Sequence, residues 1–160
     1  MTIFEKIINL LNANNIIFDV IEHPAEGRTE VISKIRGNPL QQATKAMVLQ
    51  VQYHSGISQY VLAIIPGDSK VNFKSIAILM GGKKSKFAPP QIAQELTQCQ
   101  MGAIPPFSFD DRLSLCIDKR LNHTGRLYFN AGELDKSVSM DAEDYFRIAT
   151  QCFIGEISIR

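Results

Sequence analysis

Apolar positions recur with a helical period at the start of the chain, where Ile3, Phe4, Ile7, Ile8 and Leu11 fall on one stripe. Thr2 and Glu5 stand ahead of that stripe at the spacing of a reciprocal helix cap, and Asn14-Asn15 closes it. The period then changes. Ile16 to Glu22 is rich in β-branched residues and reads as a strand closed by His23-Pro24, with Pro24 holding His23 extended. A short helix is predicted next, with Thr29 as its cap, Val31, Ile32 and Ile35 facing inward, and Gly37 just past its end.

The centre reads as a hairpin. Lys45 to Tyr53 and Gln59 to Ile65 are strand-like and flank a polar turn, His54-Ser55-Gly56. Tyr60 to Ile65 is apolar at every position, which predicts cover on both faces. Asn72 can cap a helix through Met80, stopped by Gly81-Gly82, and Pro89-Pro90 opens another that reaches about Thr97. Further on, Leu113, Leu115 and Ile117 alternate with Ser114, Cys116 and Asp118, the pattern of a half-buried strand. Arg126 to Ala131 and Ser137 to Met140 read as shorter strands separated by Gly132, and Asp141 starts a helix carrying Tyr145, Ile148 and Ala149. The tail after Cys152 fits neither period clearly. With no repeat and no linker, the expectation is one α+β domain over residues 1–160, built on a mixed or antiparallel sheet.

Composition narrows the class. Hydrophobic residues at 45% and charged residues at 21% describe an ordinary globular chain. No apolar run is long enough to cross a bilayer, and a charged pair, Glu5-Lys6, interrupts the N-terminus where a signal peptide would need its apolar stretch. Cys99, Cys116 and Cys152 are odd in number and far apart, so no disulfide framework is expected and a cytoplasmic setting is the simplest reading. His23, His54 and His123 are equally scattered, and no metal-ligand spacing appears. A net charge of +1 is too small for non-specific duplex binding. Neither a membrane nor DNA is expected as a partner, and a nucleic acid would have to be held by a local patch and a specific pocket.

Four places could carry chemistry. Strand alternation sets Lys45 on the face of Met47, Leu49 and Val51, where an ammonium is costly unless it is paired or opens into a cleft. A strand-end lysine that snorkels to solvent remains the competing account. Gly102-Ala103-Ile104-Pro105-Pro106-Phe107 is a stiff loop with few amide donors, suited to a carbonyl or ribose oxygen, or else a tight structural turn. Asn130, Gly132 and Asp135 follow a strand end, where polar site groups often project but where plain turns also occur. Lys83, Lys84 and Lys86 follow a diglycine and could meet phosphates as point charges, or form a solvated charged turn. There is no nucleophile elbow, phosphate-binding glycine loop or dinucleotide fingerprint.

In order and spacing, Glu22-His23-Pro24, Thr44-Lys45-Ala46, Gly102 to Phe107 and Phe129-Asn130-Ala131-Gly132 resemble the YbaK/prolyl-tRNA-editing family. Ile35-Arg36-Gly37, Gly102 to Phe109 and Asn130-Ala131-Gly132 with Leu134 to Val138 place the likeness nearest its YeaK branch. The resemblance covers nearly the whole chain. It implies a mixed, mostly antiparallel sheet curved into a partial barrel with flanking helices. It also implies hydrolysis, without metal or cofactor, of the ester joining a small non-cognate amino acid (serine, threonine or alanine class) to tRNA. Lys45 matches the family lysine and Gly102 to Pro106 its glycine–proline loop. His23, Met47, Ala103, Ile104, Asn130, Gly132 and Asp135 are the further substrate-binding candidates. The expected partner is the acceptor end of mischarged tRNA, with an aminoacyl-tRNA synthetase as a second. The alternative function is a non-catalytic module binding that acceptor end or a synthetase.

Overall fold

The computed structural model describes residues 1–160. Helix α1 (Ile3–Ala13) starts at the reciprocal cap: Thr2 Oγ1 accepts from the Glu5 amide at 3.1 Å, and the Glu5 carboxylate accepts from the Thr2 amide at 2.9 Å. Its stripe buries Ile3, Ile7 and Leu11. Strand β1 (Phe18–Glu22) leads to α2 (Thr29–Arg36), which Gly37 ends in the left-handed conformation. Arg28 rather than Thr29 occupies the cap position of α2, with no side-chain bond, and Ile35 faces solvent at 44% exposure. The helix is short and its apolar stripe narrower than the sequence suggests.

β2 (Thr44–Gln52) and β3 (Ser58–Pro66) form the expected antiparallel hairpin, with Lys45 opposite Ile65 and Met47 opposite Ala63. Val61 to Ile65 are fully buried. Burying a large aliphatic side chain in this way is worth about 1.5–3 kcal/mol. There follow β4 (Lys70–Val71), α3 (Phe73–Leu79), β5 (Lys84–Phe87) and α4 (Pro90–Thr97). Asn72 Oδ1 caps α3 by accepting from the Ser75 amide at 3.1 Å. β6 (Leu113–Asp118), β7 (Arg126–Glu133), β8 (Lys136–Asp141), α5 (Ala142–Ile148), β9 (Cys152–Gly155) and β10 (Ser158–Ile159) complete the chain.

The main sheet has the order β5-β2-β3-β6-β9, and a second sheet the order β1-β8-β7, with β4 and β10 forming a small third pair. Pairing is antiparallel except at β6, which runs parallel to both β3 and β9. A single bridge between Ala43 and Tyr128 joins the two larger sheets, so the curved structure stays open. The larger apolar core holds Val48, Leu62, Ile64, Ile104 and Phe129, and a smaller core of Leu49, Val51, Val61 and Ile76 covers the other face of the main sheet.

Three expectations change here. β6 is not half-buried: Cys116 and Asp118 are as inaccessible as Ile117, because β6 lies inside the sheet with cover on both faces. Lys84 and Lys86 belong to edge strand β5 rather than to a turn, since Lys86 pairs with Gln50 and Lys84 with Gln52. Gly132 does not separate two strands. It lies inside β7 at a register irregularity between Asn130 and Glu133. There φ is +86°, and an added Cβ would stand 2.8 Å from Ile3 Cγ2.

Candidate functional site

β5 covers β2 only from Leu49 to Gln52, and the Ala88 amide then closes onto the Val48 carbonyl at 3.0 Å. Ahead of Val48 the edge of β2 is open on that side. A cleft of about 170 Å³ forms there between residues Ala43 to Met47, helix α2 and the loop around Gly102. Because it wraps around a free strand edge, side chains from both faces of β2 line it: Lys45 and Met47 from one, Thr44 and Ala46 from the other.

Lys45 is half-buried at the head of an apolar face, as its alternation with Met47, Leu49 and Val51 predicts. No carboxylate forms an ion pair with it. Desolvation lowers its pKa below the ordinary lysine value, and the more distant charges of Glu30 and Asp68 only partly oppose that. Lys45 lines the cleft together with Met47, its neighbour on the same strand face.

Arg36, at the end of α2, is the cleft's second cation and was not singled out as a site residue by sequence. Burial brings its pKa down to about 10. Its guanidinium has neutral partners only: Nε donates to Asn38 Oδ1 at 2.9 Å and Nη1 to Ser137 Oγ at 3.1 Å. Ser137 passes the connection on by donating to Asn130 Oδ1 at 2.9 Å. Asn130 then spends both amide hydrogens, one on the Gly102 carbonyl at 2.8 Å and one on the Glu26 carbonyl at 2.9 Å. His23 joins from outside the wall, with Nε2 2.7 Å from Ser137 Oγ and Nδ1 2.9 Å from the Pro24 carbonyl. Three segments far apart in sequence are thereby fixed around the Gly102 loop.

That loop needs its glycine. Gly102 has φ +90°, and a Cβ on it would lie 2.7 Å from the Gly27 Cα and 2.9 Å from the Gly27 oxygen. Of the loop amides, Ala103 donates to the Gln100 carbonyl at 3.0 Å, whereas neither the Gly102 nor the Ile104 amide has a partner in the protein. Thr44 lacks a partner in its side chain: it is buried, it lines the cleft, and its Oγ1 makes no hydrogen bond.

The structure therefore gathers Lys45, Met47, Gly102, Ile104 and Asn130 in one cleft. Eight candidates fall outside its wall. His23 acts on the cleft only through Ser137. Ala103 is buried behind the loop and accepts from the Gly132 amide, so both are spent on holding backbone together. Pro106 is buried and accepts from the Tyr145 hydroxyl at 2.7 Å, which ties the loop to α5. Asp135 lies in the turn between β7 and β8, where its carbonyl accepts from the His23 amide. Lys83, Lys84 and Lys86 lie along the part of β2 beyond the cleft. The residues missed by sequence are Arg36, Thr44, Ile32 and Met101. Arg36 at least sat in a motif, Ile35-Arg36-Gly37, and Thr44 immediately precedes Lys45.

The profile of the aminoacyl-tRNA editing domain matches residues 23–148. Over 146 residues the chain is 42% identical to the multifunctional Ser/Thr-tRNA deacylase ProXp-y of Escherichia coli strain K12, across 91% of this chain and 87% of that protein. The same identity and coverage hold for the protein of that name in Escherichia coli O157:H7. Among solved structures, a hypothetical protein superposes with a TM-score of 0.84 at 18% identity, covering 96% of this chain and 99% of its own. A candidate trans-editing enzyme for prolyl-tRNA synthetase superposes at 0.80 with 18% identity, covering 100% and 99%. At such identities these two structures speak to the fold alone.

Proposed function

The chain belongs to the aminoacyl-tRNA editing domain family, and from that premise we propose that it is a trans-acting aminoacyl-tRNA deacylase. Its substrate is the ester of a small non-cognate amino acid, of the serine, threonine or alanine class, on mischarged tRNA. Residues 1–160 act as one editing unit, in the cytoplasm. An aminoacyl-tRNA synthetase is the second partner this reading predicts, since it releases the mischarged acceptor end.

The observation that carries the reading is Lys45, a desolvated cation without an ion pair in a cleft sized for a small group. An aminoacyl ester is already activated, so the protein must mainly position it and stabilise developing charge. The Lys45 ammonium anchors and polarises the ester carbonyl. The free amides of Gly102 and Ile104 face the carbonyl or ribose oxygen, while Met47 and Ile104 bound the side-chain space. Water adds to the carbonyl carbon, and the bond to the ribose oxygen breaks. The ribose oxygen takes a proton from that water, leaving free amino acid and uncharged tRNA. Asn130 is proposed to hold the Gly102 loop at the required distance, with His23, Ala103, Pro106, Gly132 and Asp135 bracing it from behind. Lys83, Lys84 and Lys86 are proposed to meet tRNA phosphates beyond the cleft.

The test is a panel of tRNAs mischarged with serine, threonine, alanine and proline, incubated with the wild type and with Lys45→Ala. Release by the wild type and its loss in the variant are expected. If neither protein released an amino acid from any of them, a non-catalytic acceptor-end binder would replace the deacylase.

A further inference from the structure

We propose that Arg36 binds the last phosphodiester of the tRNA acceptor end, seating the terminal nucleotide while Lys45 holds the ester. The inference rests on the deacylase reading and adds the contact by which the cleft recognises the nucleotide side of its substrate. The chain has seven arginines, and six of them, Arg28, Arg112, Arg120, Arg126, Arg147 and Arg160, lie within ion-pair distance of a carboxylate. Arg36 is the exception, and it lines the cleft. No aspartate or glutamate lines that cleft with it. Its Nε and Nη1 are held by Asn38 and Ser137, which fixes the plane of the guanidinium. Nη2 donates to no protein atom, and it is not sealed in either, since the buried side-chain polar atoms without a partner are Ser33 Oγ and Thr44 Oγ1. An oriented guanidinium with an accessible donor and no counter-ion is a receptor for an oxyanion.

The chemistry of the substrate says which anion this is. An esterified amino acid has no carboxylate, and its α-amino group is neutral or positive, so it offers nothing to a second cation. The fixed negative charge nearest the ester is the phosphodiester on the 5′ oxygen of the same ribose. Lys45 and Arg36 stand on separate walls of the cleft, one on β2 and one at the end of α2. A terminal ribose held between them turns its acylated side to Lys45 and its 5′ side to Arg36. Burial lowers the Arg36 pKa only to about 10, so the guanidinium stays charged at neutral pH. Its hydrogen bonds to phosphate oxygens are then charge-assisted, about twice as strong as neutral ones. Such a contact carries no sequence information and sets the register in which the ester meets the Gly102 loop.

The experiment uses mischarged tRNA in two forms, with the natural phosphodiester or an uncharged methylphosphonate as its last linkage. Each form bears the amino acid that the wild type releases fastest. The wild type should prefer the natural linkage by about tenfold or more in kcat/KM. Arg36→Gln should abolish that preference, and Arg36→Lys, which keeps the charge without the planar fork, should retain part of it. Arg36 also braces Ser137 and through it the Gly102 loop. A loss common to both linkages reports that bracing, and the ratio between them reports the phosphate contact. An Arg36→Gln enzyme that keeps the wild-type ratio overturns the inference. So does a wild type indifferent to the linkage, even if the variants do not fold, and in both cases the deacylase reading stands. No release by the wild type from any charged tRNA overturns that reading and this inference with it.

Discussion

Asp118 and Lys45 both carry charge into the main sheet, one at the end of β6 and one at the start of β2, and their surroundings are opposite. Asp118 is wholly inaccessible, and its carboxylate is served from every side. It accepts from the Arg120 amide at 2.9 Å, the Ile157 amide at 3.2 Å and the Ser158 hydroxyl at 2.5 Å, with Arg120 Nε 3.5 Å away. Arg120 in turn reaches Ser69 and Ser158. The result ties β10 to the end of β6. Around Lys45 the opposite holds: the cleft is lined by two cations without carboxylate partners, Lys45 and Arg36, and by Gly102 and Ile104, whose amides have no partner in the protein. Both regions pay for desolvation. In one the protein supplies the compensation itself, and in the other the proposed function assigns it to a bound substrate.

The comparison breaks most visibly at Asp118. Removing one partner from a buried, hydrogen-bonded pair costs about 3–5 kcal/mol. Asp118→Ala should therefore lower the melting temperature by roughly 10 °C for a chain of this size. Activity per folded molecule should stay near the wild-type value. A large activity loss with unchanged melting would show that Asp118 serves the site rather than the fold.

Lys45→Ala should do the reverse. Loss of a charge that stabilises the transition state costs about 10²–10³-fold in kcat/KM, while thermal melting should barely move. The pH profile sharpens the role. Burial lowers the Lys45 pKa, so the cation is lost at a lower pH than for an ordinary lysine. If the cation is the active form, enzyme-dependent rate is full below that lowered value and declines as pH rises through it. A general base would give the opposite limb, with rate rising over the same range once spontaneous ester hydrolysis is subtracted.

These two residues also mark how far sequence reaches. Lys45 was legible because the signal is local: a charge in register with Met47, Leu49 and Val51 needs only strand periodicity. The α1 cap and the β2–β3 hairpin were legible for the same reason. Asp118 was misread because alternation of polar and apolar residues usually means one wet face, and here the smaller core, which takes in Cys116, Val61, Ile76 and Ile157, covers that face of β6. Arg36 escaped because what sets it apart is the lack of a carboxylate partner in a buried setting, and a missing partner is a property of the assembled structure. The chain from His23 through Ser137 to Asn130 spans 114 positions, which no spacing rule connects.

Gly102→Ala tests the cleft geometry with a smaller expected effect. The new Cβ would collide with the Gly27 backbone, which cannot rotate away as a side chain would, and φ +90° disfavours alanine as well. The loop must shift, and its free amides shift with it. A displacement of about 1 Å at a catalytic group can cost on the order of 100-fold. A drop of about 10- to 100-fold in kcat/KM is expected, with a modest fall in melting temperature. Wild-type kinetics in a folded variant would remove the Gly102 and Ile104 amides from the mechanism.

The smallest effect is expected where the protein itself already supplies a use for the charge. Lys84 and Lys86 sit on β5, the edge strand of the main sheet, beside the exposed Phe87. Lysines on such an edge discourage pairing with another chain, so their presence has a structural reason before any ligand is considered. Phosphate contact would add a second role, one that salt reports. Each phosphate contact to a flexible or paired strand contributes a slope of about 0.7–0.9 in log affinity against log salt. Lys83→Ala with Lys84→Ala should then raise KM about two- to threefold at low salt, flatten its salt dependence and leave kcat alone. Unchanged KM and salt slope, together with faster aggregation, would assign these lysines wholly to protecting the edge.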